Sequence, residues 1–200
     1  FFTLVFNKSL IAQTCGSTIS TYPYSQGFET GVGGWTQDGG DNFDWTRDSG
    51  GTPSNGTGPS TGNASTWYMY IETSSPRSNG DVANFESPCF NLTSVSTATF
   101  SFYYHMYGAN IGGLYVELST DNGSTYPNLL WSQTGQVQTS NGQAYNQVSL
   151  NLNAYVGQTV KIRFRGVRGA SWDGDIAIDN VAMAVTTGPE IMMLTRAFLN

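Results

Sequence analysis

The sequence predicts an all-β fold, a jelly-roll β-sandwich of two antiparallel sheets. Three observations carry that expectation. The first is the stretch from Thr97 to Ser119, TATFSFYYHMYGANIGGLYVELS, in which Ala98, Phe100, Phe102, Tyr104 and Met106 share one parity and Leu114, Val116 and Leu118 continue the pattern. Period-two alternation marks a strand with one buried face. The turn-tolerant connection Gly108 to Gly113 predicts that the two runs form a long antiparallel hairpin at the centre of a sheet. The second observation is repetition of such runs, about nine to eleven of them at fairly even spacing, with no sustained helical periodicity. The third is composition: 24 glycines, 14% aromatic and only 11% charged residues describe a turn-rich β protein.

A chain of 200 residues suffices for one substantial domain. The formal net charge is −6 and only eight Lys and Arg are present, too few to meet a phosphate backbone, so nucleic acid is excluded as a partner. A cation or a neutral glycan is not. Residues 1–14 read as the remnant of a signal peptide: Phe1 to Phe6 and Leu10 to Gln13 are apolar but too short and broken for a membrane span. Residues 15–185 form the domain, and 186–200 a linker or the start of a following region. Cys15 and Cys89 stand in no metal-binding spacing. They are either a disulfide or two unrelated buried thiols, and the leader-like N-terminus favours the disulfide through an oxidising compartment.

In chain order, Cys15 to Gln26 is irregular and Phe28-Glu29 closes a short extended piece. Trp35 to Gln37 predicts a brief strand, and Asp38 to Asp48 is an acidic, aromatic segment. Ser49 to Ser65 is a long Gly/Ser/Thr/Pro/Asn loop, a place for a binding surface or for disorder. Trp67 to Ile71 alternates as a strand. Val82 to Phe90 is another, ending near Pro88, which gives no donor to a ladder. Asp121-Asn122-Gly123-Ser124 is a tight turn. Strands follow at Leu129–Trp131, at Val148–Leu152 and at Val160–Phe164, where Lys161, Arg163 and Arg165 face the other way as one wet face. Asp175 to Val185 is the last strand, with a parity slip near Asn180 that predicts a bulge.

No GxSxG or HExxH pattern occurs, so neither a nucleophile elbow nor a zinc-protease helix is present. His105, the single histidine, sits on the parity opposite the core residues and reads as a sheet-face ring with satisfied nitrogens. A hard cation fits the residues better than catalysis does. Ca²⁺ takes six to eight oxygens, and Glu29, Asp38, Asp41, Asp44, Asp48, Asp173, Asp175 and Asp179 supply such groups. The other reading is that these are solvated turn acids. Terminal strands of a jelly roll lie side by side, so Glu29 and Asp179 are expected to meet, with the acidic Asp38–Asp48 loop closing over them. Large rings are more often core than platform. Trp67 and Phe100 are expected inside, whereas Trp45 and Trp172 are left open. Arg163, Arg165 and Arg168 read as a solvated face or as partners of nearby carboxylates.

The pieces GFETGVGGW at 27–35, DNFDWTRDSGGTPSNGTGPS at 41–60, YMYIETS at 68–74, ESPCFNL at 86–92, LLWSQTGQ at 129–136, VKIRFRGVRG at 160–169 and DIAIDNVAM at 175–183, with the stretch FSFYYHMYGANIGGLYVELSTDNGS at 100–124, stand in an order and spacing that resemble the MAM domain. That extracellular module is named after meprin, the A5 antigen and a receptor tyrosine phosphatase, and the resemblance is to a bacterial-type secreted member. It implies a jelly roll that mediates adhesion or recognition outside the cell, without catalysis. It also implies a structural Ca²⁺ held by Glu29, Asp44 and Asp179, with Asp41 and Glu72 less firmly placed. The chain departs from the vertebrate pattern in having Gly34 rather than a cysteine before Trp35, so the usual disulfide pattern is not preserved.

The expected function is therefore a non-catalytic, secreted or cell-surface adhesion and recognition module, part of a larger multidomain protein, with an extracellular protein or glycan as partner and no transmembrane segment in this chain. The alternative is a carbohydrate-binding module attached to a secreted hydrolase or protease. Exposed coplanar tryptophans would favour the alternative.

Overall fold

A computed structural model describes residues 15–188; the leader-like segment 1–14 and most of the expected linker 186–200 lie outside the described residues. Thirteen strands follow one another. The first seven are β1 (Thr18–Ile19), β2 (Tyr24–Gln26), β3 (Thr36–Gln37), β4 (Thr46–Ser49), β5 (Trp67–Ile71), β6 (Val82–Glu86) and β7 (Cys89–Asn91). Then come β8 (Thr97–Met106), β9 (Gly113–Ser119), β10 (Asn128–Thr134), β11 (Asn146–Asn151), β12 (Thr159–Val167) and β13 (Ile176–Thr186).

They form two sheets. In the first, β10, β9 and β12 lie side by side, and β6 and β7 share the far edge of β12, flanked by β3 and β1. In the second, β11, β8 and β13 lie side by side, and β5 and β2 share the far edge of β13, with β4 outside β5. All pairings are antiparallel except β1 with β7. The two-layer all-β sandwich agrees with the expectation from alternation. Cys15 and Cys89 are bonded, with a Cα–Cα distance of 5.9 Å, which fastens the start of the domain to β7.

The core follows from the parity of the central strands. Val160, Ile162 and Phe164 of β12 and Leu114, Val116 and Leu118 of β9 face Phe100, Phe102 and Met106 of β8 and Ile176, Ile178, Val181 and Met183 of β13, all buried. Phe164 is the hub. Its ring meets Phe102 edge-on at 4.9 Å and Trp35 stacked at 5.5 Å, and Trp35 in turn stacks on Phe85 at 5.1 Å. The buried indoles keep their N–H groups satisfied: Trp35 Nε1 donates to Tyr24 Oη (3.0 Å) and Trp45 Nε1 to the Ala83 carbonyl (2.9 Å). The slip in β13 is a bulge between Asp179 and Ala182, with Asn180 at φ 46°. It moves the inward series from Ile178 to Val181, while Asp179 keeps the outward parity of Ala177.

Two expectations are corrected. β8 and β9 are not a hairpin: β8 pairs with β11 and β13, and β9 with β10 and β12, in opposite sheets. Their apolar faces meet across the sandwich, an arrangement that produces the same alternation as lateral pairing. The connection turns between layers at close quarters. A Cβ at Gly108 (φ 147°) would lie 2.2 Å from the Asp173 carbonyl oxygen, and one at Gly112 would lie 2.1 Å from that of Val167. The expected single strand Val82–Phe90 is two strands, divided at Ser87-Pro88, where Ser87 Oγ takes the Ile162 amide (2.9 Å).

The Gly50–Thr66 segment is irregular but closely packed. It lies on the outer face of the second sheet, bound by Gly58 N and Thr57 Oγ1 to the Tyr107 carbonyl (2.8 and 2.9 Å) and by Ser60 N to that of Asn141 (2.9 Å). Tyr68 Oη donates back to the Gly50 carbonyl (3.0 Å). Strand β5 is consequently buried on both faces, Tyr68 and Tyr70 outward and Met69 and Ile71 inward.

Gly108→Ala combines a positive φ with a backbone clash and is expected to cost about 3 kcal/mol in urea unfolding. Gly142→Ala, where a Cβ meets nothing within 4 Å, is expected to stay within about 0.5 kcal/mol of the parent.

Candidate functional site

The acidic residues expected to share one cation occupy three separate places. Glu29 and Asp179 do come together, because β2 pairs with β13 (Gln26 opposite Val181). Both hold the Asn63–Trp67 turn. Asp179 Oδ2 accepts from Asn63 N (2.7 Å) and Ser65 Oγ (2.9 Å), Asp179 Oδ1 accepts from Asn180 N (2.6 Å), and Glu29 Oε1 accepts from Trp67 N (2.7 Å) and Thr66 N (3.1 Å). Burial pushes Asp179 up to about 6; the amide donors pull the other way and the Glu29 charge adds to the rise. Arg47 braces this corner, donating to the Phe28 and Glu29 carbonyls and lying 3.7 Å over the Trp67 ring.

Asp41 and Asp44 stand beside the first sheet instead. Asp41 accepts from Asn84 N, and the neighbouring Asn42 Oδ1 from Val82 N (2.8 Å), so the acidic segment closes against β6 rather than over β13. Burial raises Asp41 to about 6, opposed by the Asn84 amide and reinforced by Asp38 and Asp44. Asp44 is exposed. Glu72 accepts from Ser74 N (2.9 Å) near buried Asp175, whose Oδ1 takes both Thr73 N and Thr73 Oγ1 at 3.0 Å. Among the described residues no three His, Cys, Asp or Glu side chains lie together as a metal-binding group.

His105 is not a satisfied surface ring. It is fully buried on the outer face of β8, opposite Ala177, with the Tyr145 ring 5.2 Å away, and neither nitrogen has a hydrogen-bond partner. Burial pulls it down to about 4, opposed by the Ser140 and Gln143 carbonyls nearby. Tyr145 Oη donates to the Thr61 carbonyl (3.1 Å), so this strand face is roofed by loops from two distant parts of the chain.

The outer face of the first sheet is different. Its outward residues are Lys161, Arg163 and Arg165 on β12, Tyr115 and Glu117 on β9, and Asn84 and Glu86 on β6, in register across the three strands. Arg163 and Arg165 converge on Glu117 (2.7 and 2.9 Å) and Lys161 on Glu86 (2.6 Å), with side-chain exposures of only 10–27%. Charges on an outer sheet face are normally far wetter. Here the Ser119–Tyr126 turn rises on one side and the Thr36–Gly39 edge on the other, leaving a polar cleft of about 440 Å³ between them. Tyr126 lies with the Arg163 guanidinium 4.1 Å from its ring, and Tyr115 likewise with Arg165 at 4.0 Å. Tyr126 Oη is buried without a hydrogen-bond partner, as is Asn84 Oδ1. Burial, with the Glu86 carboxylate close by, holds the Tyr126 phenol well above its ordinary value, so it stays a proton donor.

Alternation identified the three cations but not their partners. Glu117 and Tyr115 share the parity opposite Leu114, Val116 and Leu118, so pairing of oppositely charged wet faces on neighbouring strands was the available signal. Arg168 is not part of this face; it is buried and donates to the Thr73 and Gly169 carbonyls. Among the tryptophans, Trp35 and Trp45 are core and Trp131 packs on Tyr104 and Phe102 (5.0 and 5.5 Å). Trp67, expected inside, is half-buried under Arg47, and Trp172 is 49% exposed. No row of exposed tryptophans exists among the described residues.

The family description "MAM domain, meprin/A5/mu" matches residues 27–188, and the chain belongs to that family. It is 40% identical over 187 residues to MAM domain-containing glycosylphosphatidylinositol anchor protein 2 of Mus musculus, a match covering 84% of this chain and 19% of the mouse protein. The chain thus spans about a fifth of the length of that relative. The relative is vertebrate and does not carry the expected bacterial-type assignment. Among solved structures, the K1 cleaved adhesin domain of Lys-gingipain from Porphyromonas gingivalis W83 superposes with a TM-score of 0.63 at 18% identity, covering 84% of this chain and 100% of the other. A xylan-binding domain from CBM 22 gives 0.50 at 14% identity, covering 82% and 94%. Both likenesses are of fold.

The buried imidazole has a pH signature. Between pH 6.5 and 4 the unfolded chain binds the His105 proton and the folded chain does not, so this group removes stability as pH falls. Asp41, Asp175 and Asp179, raised to about 6, act in the opposite sense, binding protons in the folded chain first. His105→Phe is therefore expected to gain about 2 kcal/mol relative to the parent between pH 6.5 and 5, measured by urea unfolding at each pH. A pH-independent difference would contradict the assignment.

Proposed function

We propose that the chain is a non-catalytic extracellular recognition module of adhesion or carbohydrate-binding type, and that the open face of the first sheet carries its ligand. The observation that carries this reading is the asymmetry of the two sheets: one outer face is sealed by the chain's own loops, and the other presents shielded, mutually paired charges and the Tyr126 hydroxyl in a cleft. The Cys15–Cys89 bond fits an oxidising compartment. The mouse relative is named for a glycosylphosphatidylinositol anchor, which fits display at a cell surface, and no helix among the described residues is long and apolar enough to cross a membrane. The groups a hydrolase would use are committed elsewhere: His105 is sealed in, and Glu86 and Glu117 are each held by cations. Carbohydrate is favoured over a protein ligand by the cleft, since a protein partner is more often met by a flat patch with an apolar centre. Screening the disulfide-bonded chain against an oligosaccharide array is expected to show binding, with Kd values in about the micromolar to millimolar range, and recovery of the sugars uncleaved. Cleavage of a bound sugar would overturn the non-catalytic reading.

The Glu29–Asp179 corner is the proposed seat of a structural Ca²⁺. Asp41, Asp44 and Glu72 do not fit that shell, because they stand elsewhere. What favours this reading is the grouping of oxygens: a Cβ at Gly62 would meet Ser65 Oγ, the Trp67 carbonyl oxygen and Asp179 Oδ2 within 2.7–3.1 Å, so several oxygens are gathered in one place beside two carboxylates. An ion there would hold the Asn63–Trp67 turn to the terminal strands. Ca²⁺ added to the metal-stripped chain at about 100 times its Kd is expected to stabilise it by about 2.7 kcal/mol, a rise of several degrees in Tm, and the rise is expected to vanish in Glu29→Gln and Asp179→Asn. No shift at millimolar Ca²⁺ would refute the site.

A further inference from the structure

We infer that the cleft between the Thr36–Gly39 edge and the Ser119–Tyr126 turn is a binding site for a neutral oligosaccharide. This rests on the carbohydrate-binding reading above and gives it an address and a ligand charge.

The charge balance excludes the other polar ligands. Asp38 and Glu86 line the cleft together with Lys161 and Arg163. Behind these, Glu117 and Arg165 form a further opposed pair. An anion entering here meets two carboxylates, and a cation meets two fixed positive charges. A sugar hydroxyl both donates and accepts, so it is the group that gains from acceptors and donors set side by side. Capacity remains for it. Lys161 Nζ has three protons and gives one to Glu86 Oε2 (2.6 Å), while Arg163 directs Nε and Nη2 to Glu117 (3.0 and 2.7 Å), leaving Nη1 outside that pair. Tyr126 Oη, buried beside the Glu86 carboxylate, has no hydrogen-bond partner of good geometry, and such a hydroxyl in a cleft is the kind of group a ligand satisfies.

The walls are built to stay in place. Asp121 fixes the turn, its Oδ1 accepting from Ser119 Oγ (2.6 Å) and Thr125 N (2.9 Å) and its Oδ2 from Thr125 Oγ1 (2.7 Å), while Gly123 N donates to Ser119 Oγ (2.8 Å). Gly123 also keeps the entrance clear: a Cβ there would sit 2.9 Å from Lys161 Cδ and 3.1 Å from Tyr126 Oη. Beyond Lys161 and Thr36, which line both spaces, the cleft continues into a second hollow of about 490 Å³ walled by Gly34, Pro88 and the Cys15–Cys89 bond. A polar compartment joined to one walled by proline and disulfide suits a chain of pyranose rings, whose edges carry hydroxyls and whose faces carry C–H groups. Each volume is within the range of small-molecule sites.

The test is titration calorimetry of the full chain with neutral gluco-, galacto-, manno- and xylo-oligosaccharides, alongside sulfated and sialylated counterparts. Tyr126→Phe is the informative variant. Removing an unmet buried hydroxyl is expected to leave Tm unchanged or raised, while affinity for the bound neutral sugar falls about 5- to 10-fold. Glu86→Gln is expected to weaken binding by a similar factor or more, and Trp172→Ala, remote from the cleft, to have no effect. Neutral sugars bound equally well by Tyr126→Phe and Glu86→Gln would overturn this site and leave the carbohydrate reading standing. Binding confined to sulfated or sialylated sugars would overturn the neutral-ligand assignment. Absence of binding to any sugar by the parent chain would overturn the carbohydrate reading and this site with it.

Discussion

The obligation to satisfy buried backbone donors organises this domain. The Gly50–Thr66 segment is poor in apolar side chains, so little hydrophobic gain would keep it on the second sheet. It is held by hydrogen bonds from its amides to Asp179 of the last strand, to Glu29 in the segment after β2, and to the Tyr107 and Asn141 carbonyls. Asp179 points outward with Ala177, and the bulge that follows lets the inward series of β13 resume at Val181. The last strand therefore connects the core to the surface loop, and the loop in turn determines which face of the molecule is available.

The sealed face and the open face handle polarity by opposite means. Under the loops, Tyr68, Tyr70, Ala177 and His105 are packed as a second small core, and the imidazole is tolerated by being neutral. On the first sheet the charges are kept and paired across strands, with guanidinium groups lying over tyrosine rings. Isolated surface ion pairs contribute little to stability. A lattice of shielded ones holds long side chains in set positions, which matters more to recognition than to folding, because a preorganised polar surface loses less entropy when a ligand arrives.

The parts that were legible in the sequence are those in which a residue's surroundings are set by its own strand. β12 is the clearest case: one face is core, the other is wet, and Val160, Ile162 and Phe164 separate cleanly from Lys161, Arg163 and Arg165. The bulge near Asn180 showed as a break in parity. The meeting of Glu29 with Asp179 followed from the adjacency of terminal strands. Apart from the local break at Ser87-Pro88, the failures involve where a distant segment goes. Alternation in β8 and β9 told which faces were buried but not whether the strands lie beside each other or opposite each other. His105 has the parity of a wet face, and only the path of the Gly50–Thr66 and Ser140–Tyr145 segments buries it. Asp41 and Asp44 belong to a loop whose direction of closure no local pattern records, and it closes against Asn84.

The bond between Cys15 and Cys89 also decides how the domain would carry mechanical load. Without it, a pull from the N-terminal side would first draw the two-residue β1 from β7 and then peel β2 from β13 one hydrogen bond at a time. With it, tension passes directly into β7 and its neighbour β12 in the first sheet, while a pull from the C-terminal side enters through β13 in the second. The two forces then meet across the aromatic interior around Phe164, which must be sheared as a block. That geometry puts the aromatic interior in the line of tension and the groove with it, since the Cys15–Cys89 bond and Lys161 of β12 also wall the groove.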